Sequence, residues 1–210
     1  MLLIAVTPEL QITLLESGVH IASALVFAAV LRYFERHEGR TYLRFWTLSW
    51  IAFAVFSLGA VGGRVMGLSL PPSSLPRFIV SVLSLAAAYL QAIWLLLGAY
   101  EFTRRQRVKK AWAGPTVIAA LVLGFVLTSL WIDDPSAGDR RYFIRVGLRA
   151  VVVGVSFIAA AVWTVIERGP RRGLASVLLP TALFAYGVDQ AAAFYLAQPL
   201  SRTSPSPWAA

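Results

Sequence analysis

The candidates for chemistry in this chain are four of the ionisable residues that lie within its long apolar segments. Glu16 and His20 are four residues apart, so a helix places them on one face. Arg149 and Asp189 lie in two later apolar segments. Because an isolated charge inside a membrane is costly, we expect all four to form one buried polar cluster, in which Arg149 pairs with Asp189 or Glu16. Such a pair would fix the packing of the helices, and the alternative is that the cluster binds a ligand or a proton.

His20 is the candidate for binding a cofactor, because the other histidine, His37, lies in a charged joint between apolar segments. A bis-histidine haem needs two facing imidazoles, and a single embedded histidine does not supply them. One histidine could ligate a haem together with another axial group, or the magnesium of a chlorophyll-type pigment. We favour a hydrogen-bonded packing role for His20 beside Glu16, and we predict no cofactor.

Most enzyme classes lack their characteristic residues in this sequence. The chain has no Cys, and its two His residues cannot form an HExxH zinc site. Both lysines, Lys109 and Lys110, lie in a joint, which excludes a retinal Schiff base within a helix. No GxSxG motif and no acidic cluster suited to a metal occurs. We therefore expect no catalytic residue, no metal site and no enzymatic activity.

The elements that must position these residues are six apolar segments separated by short joints. They are Ile12–Leu31, Tyr42–Gly63, Phe78–Tyr100, Trp112–Trp131, Phe143–Ile166 and Leu174–Leu196. Each is long enough for a hydrocarbon core of about 30 Å, which takes about 20 helical residues. The predicted fold is all-α, a polytopic membrane bundle of six transmembrane helices over residues 1–198. The first segment is predicted to be retained and not cleaved as a signal, because no Lys or Arg precedes it.

Composition and charge agree with a membrane protein. The chain is 58% hydrophobic and 14% charged, with a net charge of +9, which differs from the usual make-up of soluble domains. Basic residues beside membrane spans set the topology and contact anionic lipids, so we predict no nucleic-acid partner. We expect anionic lipids at the joint after the third segment, at Arg104, Arg105, Lys109 and Lys110.

The basic residues are distributed unevenly between the two sides of the predicted bundle. Twelve of the nineteen lie in the joints after segments one, three and five, and six lie in the opposite joints and the C-terminal tail. The positive-inside rule therefore predicts that both termini are non-cytoplasmic. Trp46, Trp112, Trp131 and Trp163 fall near predicted interfaces and are interpreted as belt residues. We expect a multi-pass protein of the bacterial inner membrane.

Two stretches are similar to part of a known class of proteins. The first is YLRFWTLSWIAFAVFSLGA, in which Trp46 and Trp50 are one turn apart, and the second is YLQAIWLLLGAYEFTRRQR at the end of the third segment. Together they resemble the N-terminal multi-helix membrane region of bacterial sensor histidine kinases and diguanylate cyclases, over helices one to four. No GGDEF-like or phospho-acceptor histidine motif accompanies them. The resemblance therefore implies a membrane scaffold and not an enzymatic activity.

The last residues, 199–210, are predicted to form an extended Pro/Ser-rich tail, because Pro199 interrupts the sixth helix. Trp208 is the large apolar residue of this tail. It would either anchor the tail in the outer interface or insert into a neighbouring protein. We expect Pro205, Pro207 and Trp208 to contact a partner.

Three functional hypotheses follow from the sequence. We favour a non-enzymatic accessory or scaffold subunit, which docks against other integral membrane proteins in a respiratory, photosynthetic or transport complex. The alternative is a sensory or ligand-binding membrane module that acts through a separate signalling partner. A small transporter or enzyme is disfavoured, because the chain has few polar residues within its apolar segments.

Overall fold

A computed structural model describes residues 8–71, 73–104, 106–108, 112–130, 140, 143–168 and 174–203, and these residues form an all-α fold. Its six helices are α1 (Pro8–Glu38), α2 (Tyr42–Gly67), α3 (Leu75–Arg104), α4 (Ala113–Ser129), α5 (Arg149–Arg168) and α6 (Leu174–Thr203). A π-helical segment, Phe143–Leu148, leads directly into α5. The predicted all-α class is confirmed.

Four helices of the described part are long and apolar enough to cross a membrane. They comprise Leu14–Glu38, Tyr42–Gly67, Leu75–Arg104 and Phe143–Ile166, and α4 contributes a shorter apolar helix over Gly114–Ser129. These lengths are those of a multi-pass membrane protein. That all six helices cross the membrane stays a prediction.

The first joint is built from a glycine and a threonine. Gly39 follows α1 with a φ of +64°, the left-handed conformation that ends many helices, and its amide donates to the Glu35 carbonyl at 3.0 Å. Thr41 stands at the start of α2 but does not cap the helix with its side chain. Its hydroxyl donates instead to the Glu101 carboxylate at the end of α3. The joint therefore ties three helices together at one end of the bundle.

The last helix is longer than the sequence predicts. It continues through Pro199 to Thr203, so the boundary predicted at residue 199 lies inside the helix. Proline removes one backbone donor, and a membrane helix tolerates this loss where neighbouring groups compensate. Pro180 lies within the same helix. Pro205, Pro207 and Trp208 lie outside the described residues.

Helix α3 is the centre of the bundle, and it packs against α2, α4 and α5. Of its most apolar part, 50% is buried, compared with 11% for α1. Helix α1 packs on α2, and α6 packs on α5. The main core lies between α2, α3 and α5, with Trp46, Leu95 and Phe157 among its buried residues. Trp46 is therefore a core residue, and the prediction that it belongs to an interfacial belt is wrong.

Serine and glycine residues hold α2 and α3 together at short range. The Ser49 hydroxyl donates to the Gln91 carbonyl at 2.9 Å, and the Ser84 hydroxyl donates back to the Phe56 carbonyl at 3.0 Å. Gly59 lies so close to Ser84 that a Cβ atom would stand 2.7 Å from the serine Cβ. Small residues allow helices in a membrane to approach and to bond through side-chain hydroxyls. Gly59 is therefore a point of close approach between α2 and α3.

Helix α1 touches the rest of the bundle along a single seam. Ala24 and Ala28 are buried there, and the other members of the seam are half-buried: Leu14, Ser17, Ile21, Leu31 and Glu35. These positions alternate by three and four residues, which is the period of a coiled-coil contact. The remaining side chains of α1 that the structure describes are exposed. Most of the surface of α1 is therefore uncovered.

Candidate functional site

Arg149 lies inside the bundle, at the point where the π-helical segment passes into α5. Its guanidinium carbon stands 4.1 Å from the centre of the Phe56 ring of α2, a cation–π geometry. The charge also lies within electrostatic range of the hydroxyls of Tyr89 in α3 and Tyr186 in α6. Arg149 therefore lies where α2, α3, α5 and α6 approach one another. A π-helical segment beside it is a feature that occurs frequently at functional sites.

The polar groups around Arg149 are buried. Gln91 is 2% exposed, and its side chain lies beside the Tyr186 hydroxyl. The hydroxyls of Tyr89 and Tyr186 are both buried, and that of Tyr89 makes no hydrogen bond within the described residues. We call Tyr89, Gln91, Arg149 and Tyr186 the interior cluster. It offers several hydrogen-bond donors in an apolar surrounding.

Arg145 anchors the start of α5 to the end of α4. Its guanidinium donates to the Thr128 carbonyl at 2.7 Å. That bond satisfies one of the last carbonyls of α4, which lack partners within their own helix. We interpret Arg145 as part of the structural joint between these helices.

Glu16 and His20 lie on the outside of the bundle. Both side chains are exposed, because each precedes a seam residue, Ser17 or Ile21, by one position and so points about 100° away from it. The His20 ring lies 6.4 Å from the Phe53 ring of α2, centre to centre. No described residue of another helix forms an ion pair with Glu16.

Asp189 also faces outward. It follows Gly187 by two residues, which is a rotation of roughly 200° on a helix, and Gly187 packs against α5. Asp189 is therefore exposed, and its described hydrogen-bond partner is the neighbouring Gln190, at 3.5 Å. The position lies at the middle of the 30-residue helix α6.

The structure does not unite the four predicted site residues. Arg149 lies within the bundle, whereas Glu16, His20 and Asp189 lie on its outer surface. Within the described residues no ion pair joins Arg149 to Asp189 or Glu16. The predicted pair is therefore not formed, because the acids occupy the outward sides of their helices.

One aromatic ring of α2 relates the two helices that carry these three outward residues. His20 in α1 and Tyr186 in α6 both contact Phe53 in α2, with ring centres 6.4 Å and 6.3 Å from it. Asp189 follows Tyr186 by three residues and so lies within one turn of the residue that contacts Phe53. We call Glu16, His20 and Asp189 the α1/α6 face.

Sequence reasoning missed the environment of Glu101. This carboxyl group is 6% exposed; one oxygen accepts a hydrogen bond from Thr41, and the other has no partner in the described part of the chain. Trp46, also buried, lies against Gly98 one turn earlier in α3. The sequence gives only a weak indication of the contact between Thr41 and Glu101, because the two residues are 60 positions apart.

The remaining predicted sites are partly described. Arg104 ends α3 with an exposed side chain, and its contact with anionic lipid stays a prediction. Arg105, Lys109 and Lys110 lie outside the described residues. Among the residues that the structure describes, no group of three or more His, Cys, Asp or Glu side chains could hold a metal ion.

No protein family, curated protein or solved structure matches this chain. The class of protein is therefore defined by the fold itself, an all-α chain with four helices of membrane-spanning length.

Proposed function

We propose that this chain is a non-enzymatic integral membrane subunit that docks against other membrane proteins through the α1/α6 face. One observation carries the proposal. Glu16, His20 and Asp189 are exposed on the outside of the bundle, although they lie within helices of membrane-spanning length.

The energetic argument rests on the cost of charge in lipid. A charged residue at the centre of a membrane helix costs about 2.5–3.5 kcal/mol on insertion scales. A neighbouring protein that supplies hydrogen bonds or opposite charge would offset that cost. Asp189, at the middle of α6, would bear this cost in full. Glu16, near the start of the apolar length of α1, would bear a smaller part of it. Both residues therefore favour contact with protein over contact with lipid.

Other helices present the surface that lipid requires. Every exposed side chain of α5 between Val151 and Ile166 is apolar, and the same holds for α4 between Gly114 and Val126. Away from the helix ends, the exposed ionisable residues of the described helices thus lie on α1 and α6. This contrast supports a specific docking face.

The exposed surface of α1 supports the same proposal. The helix is attached along one seam, and large apolar side chains cover its other sides, including Leu15, Val19 and Val26. A partner packed beside α1 would bury these side chains together with Glu16 and His20. Such an arrangement fits an accessory or scaffold subunit of a respiratory, photosynthetic or transport complex.

We further propose that all six helices cross the membrane and that both termini are non-cytoplasmic. The bacterial inner membrane is the proposed location, with the basic joints facing the cytoplasm. The uneven distribution of Lys and Arg supports this orientation.

Co-purification in mild detergent tests the docking face. We expect the native chain to purify with a stoichiometric membrane partner, and the double variant Glu16→Gln, Asp189→Asn to lose it. Glu38→Gln is the matched control, because Glu38 is an exposed carboxylate at the charged end of α1. Loss of the partner from the control, or its retention by the double variant, would contradict the proposal.

A second candidate is a sensory module that binds a ligand at the interior cluster. The buried Tyr89 hydroxyl, which makes no hydrogen bond within the described residues, favours this candidate. Co-purification of a signalling kinase or cyclase alone, retained by the double variant, would support it over docking.

A further inference from the structure

A groove lies between α1 and α2 at their charged ends. Its volume is about 500 Å³, within the range of pockets for small molecules. The floor and walls are mainly apolar, and charged side chains stand at one end; the lining residues are Leu25, Ala28, Ala29, Arg32, Glu35, Arg44, Thr47, Leu48 and Ile51. Two small residues of α1, Ala28 and Ala29, leave the space that the groove occupies.

The side chains that line the groove change from apolar at one end to charged at the other. Moving along α1 from Leu25 to Glu35 covers ten residues, or about 15 Å, and leads from apolar to charged side chains. On α2 the same change occurs from Ile51 back to Arg44. The charged end coincides with the joint between the two helices, where the chain leaves the apolar region.

The charged end carries a net positive charge. Arg32 and Glu35 form an ion pair with a distance of 2.6 Å. Arg44 is exposed and makes no ion pair within the described residues. The Thr47 hydroxyl donates to the Leu43 carbonyl of its own helix at 2.8 Å. Arg44 is therefore the group at this end that is available to a ligand, with Arg32 beside it.

We propose that this groove binds one anionic phospholipid. The phosphate contacts Arg44 and Arg32 at the headgroup level, and an acyl chain lies along Leu25, Ala29 and Ile51. Paired arginine guanidinium groups are suited to a phosphate because they offer several donors in a fixed geometry. This site is separate from the basic joint after α3, where lipid contacts were expected from charge alone.

A lipid fits the groove better than a protein helix does. A helix packed into the groove would bury Arg44 next to Arg32 and would have to supply two acceptors at once. A phospholipid brings its negative charge to the polar end and its hydrocarbon to the apolar end, which matches the direction of the lining residues.

Lipid titration of the purified full chain in detergent tests the site. We expect native mass spectrometry and thermal shift to report tighter binding of phosphatidylglycerol than of phosphatidylcholine with the same acyl chains. Arg44→Gln should weaken the apparent affinity for phosphatidylglycerol about fivefold, since a basic residue near anionic lipid contributes about 1 kcal/mol. The matched control is Arg36→Gln, an exposed arginine of α1 that does not line the groove, and it should leave the affinity unchanged.

A second pair of variants tests the apolar part. Ala29→Leu fills the groove and should lower phosphatidylglycerol binding, whereas Ala22→Leu, an exposed alanine seven residues earlier, should not. Equal affinity for the two lipids would overturn the proposal, and so would equal effects of Arg44→Gln and Arg36→Gln. Binding of a second copy of the chain that is abolished by Ala29→Leu and independent of added lipid would show that a helix occupies the groove.

Discussion

The contact between α5 and α6 depends on the absence of a side chain at Gly154. A Cβ atom built there would stand 2.8 Å from the Gly187 carbonyl oxygen and 3.2 Å from the Ala191 amide nitrogen. Both atoms belong to the backbone of α6, so no side-chain rotation can relieve the overlap. Gly154→Ala therefore forces the two helices apart.

The size of the effect follows from two opposing terms. Overpacking of this kind costs about 1–3 kcal/mol. Replacing a helical glycine with alanine recovers about 0.8–1 kcal/mol of helix propensity. The net loss lies between about 0 and 2 kcal/mol. For a chain of this size the midpoint of thermal unfolding should therefore fall by up to about 8 °C.

The matched control is Gly63→Ala in α2. A Cβ atom at Gly63 meets nothing within 4 Å, so the propensity term acts alone and the midpoint should rise slightly. Thermal unfolding of both variants in the same detergent, followed by circular dichroism, provides the comparison. If Gly154→Ala and Gly63→Ala shift the midpoint equally, the close contact between α5 and α6 does not exist.

Three further predictions concern hydrogen bonds, charge and topology. Ser49→Ala and Ser84→Ala should each lower the unfolding free energy by about 0.6 kcal/mol, typical of interhelical bonds in membranes; Ser129→Ala, whose hydroxyl bonds within its own helix, should have a smaller effect in the same melts. Arg149→Gln should lower the unfolding free energy by about 1–2 kcal/mol through loss of the cation–π contact, whereas Asp189→Asn should leave the melting of the isolated chain unchanged. A larger effect of Asp189→Asn than of Arg149→Gln would contradict the interior position of Arg149 and the exposed position of Asp189. A C-terminal reporter that is active only outside the cytoplasm should be active in cells, and cytoplasmic activity would disprove the proposed topology.

The positions of the helices were largely predictable from the sequence. Helix α2 begins at Tyr42 as expected, because apolar runs of spanning length dominate local preference. The ends were less predictable. Helix α1 extends to Glu38 through charged residues, since backbone hydrogen bonding continues until Gly39 adopts its left-handed conformation.

The candidate site was less predictable, because it depends on which side of each helix faces a neighbour. Opposite charge alone predicts a contact between Arg149 and Asp189. The contact does not form, because Asp189 lies on the outward side of α6 whereas Arg149 lies inside the bundle. The position of Trp46 near a helix end predicts an interfacial side chain. Trp46 is buried because Gly98, 52 positions later, leaves room for the indole, and only the packing of α2 on α3 reveals this relation.

Site-specific crosslinking tests the docking face most directly. The chain has no cysteine, so single introduced cysteines can carry a photoactivatable maleimide without background. Val19 and Val188 flank the α1/α6 face and are 56% and 44% exposed, while Val122 in α4 is a matched control at 57%. We expect Val19→Cys and Val188→Cys to form protein adducts of one defined mass in native membranes, and Val122→Cys to form none. Protein adducts from Val122→Cys alone, or the same adducts from all three positions, would contradict the proposed face.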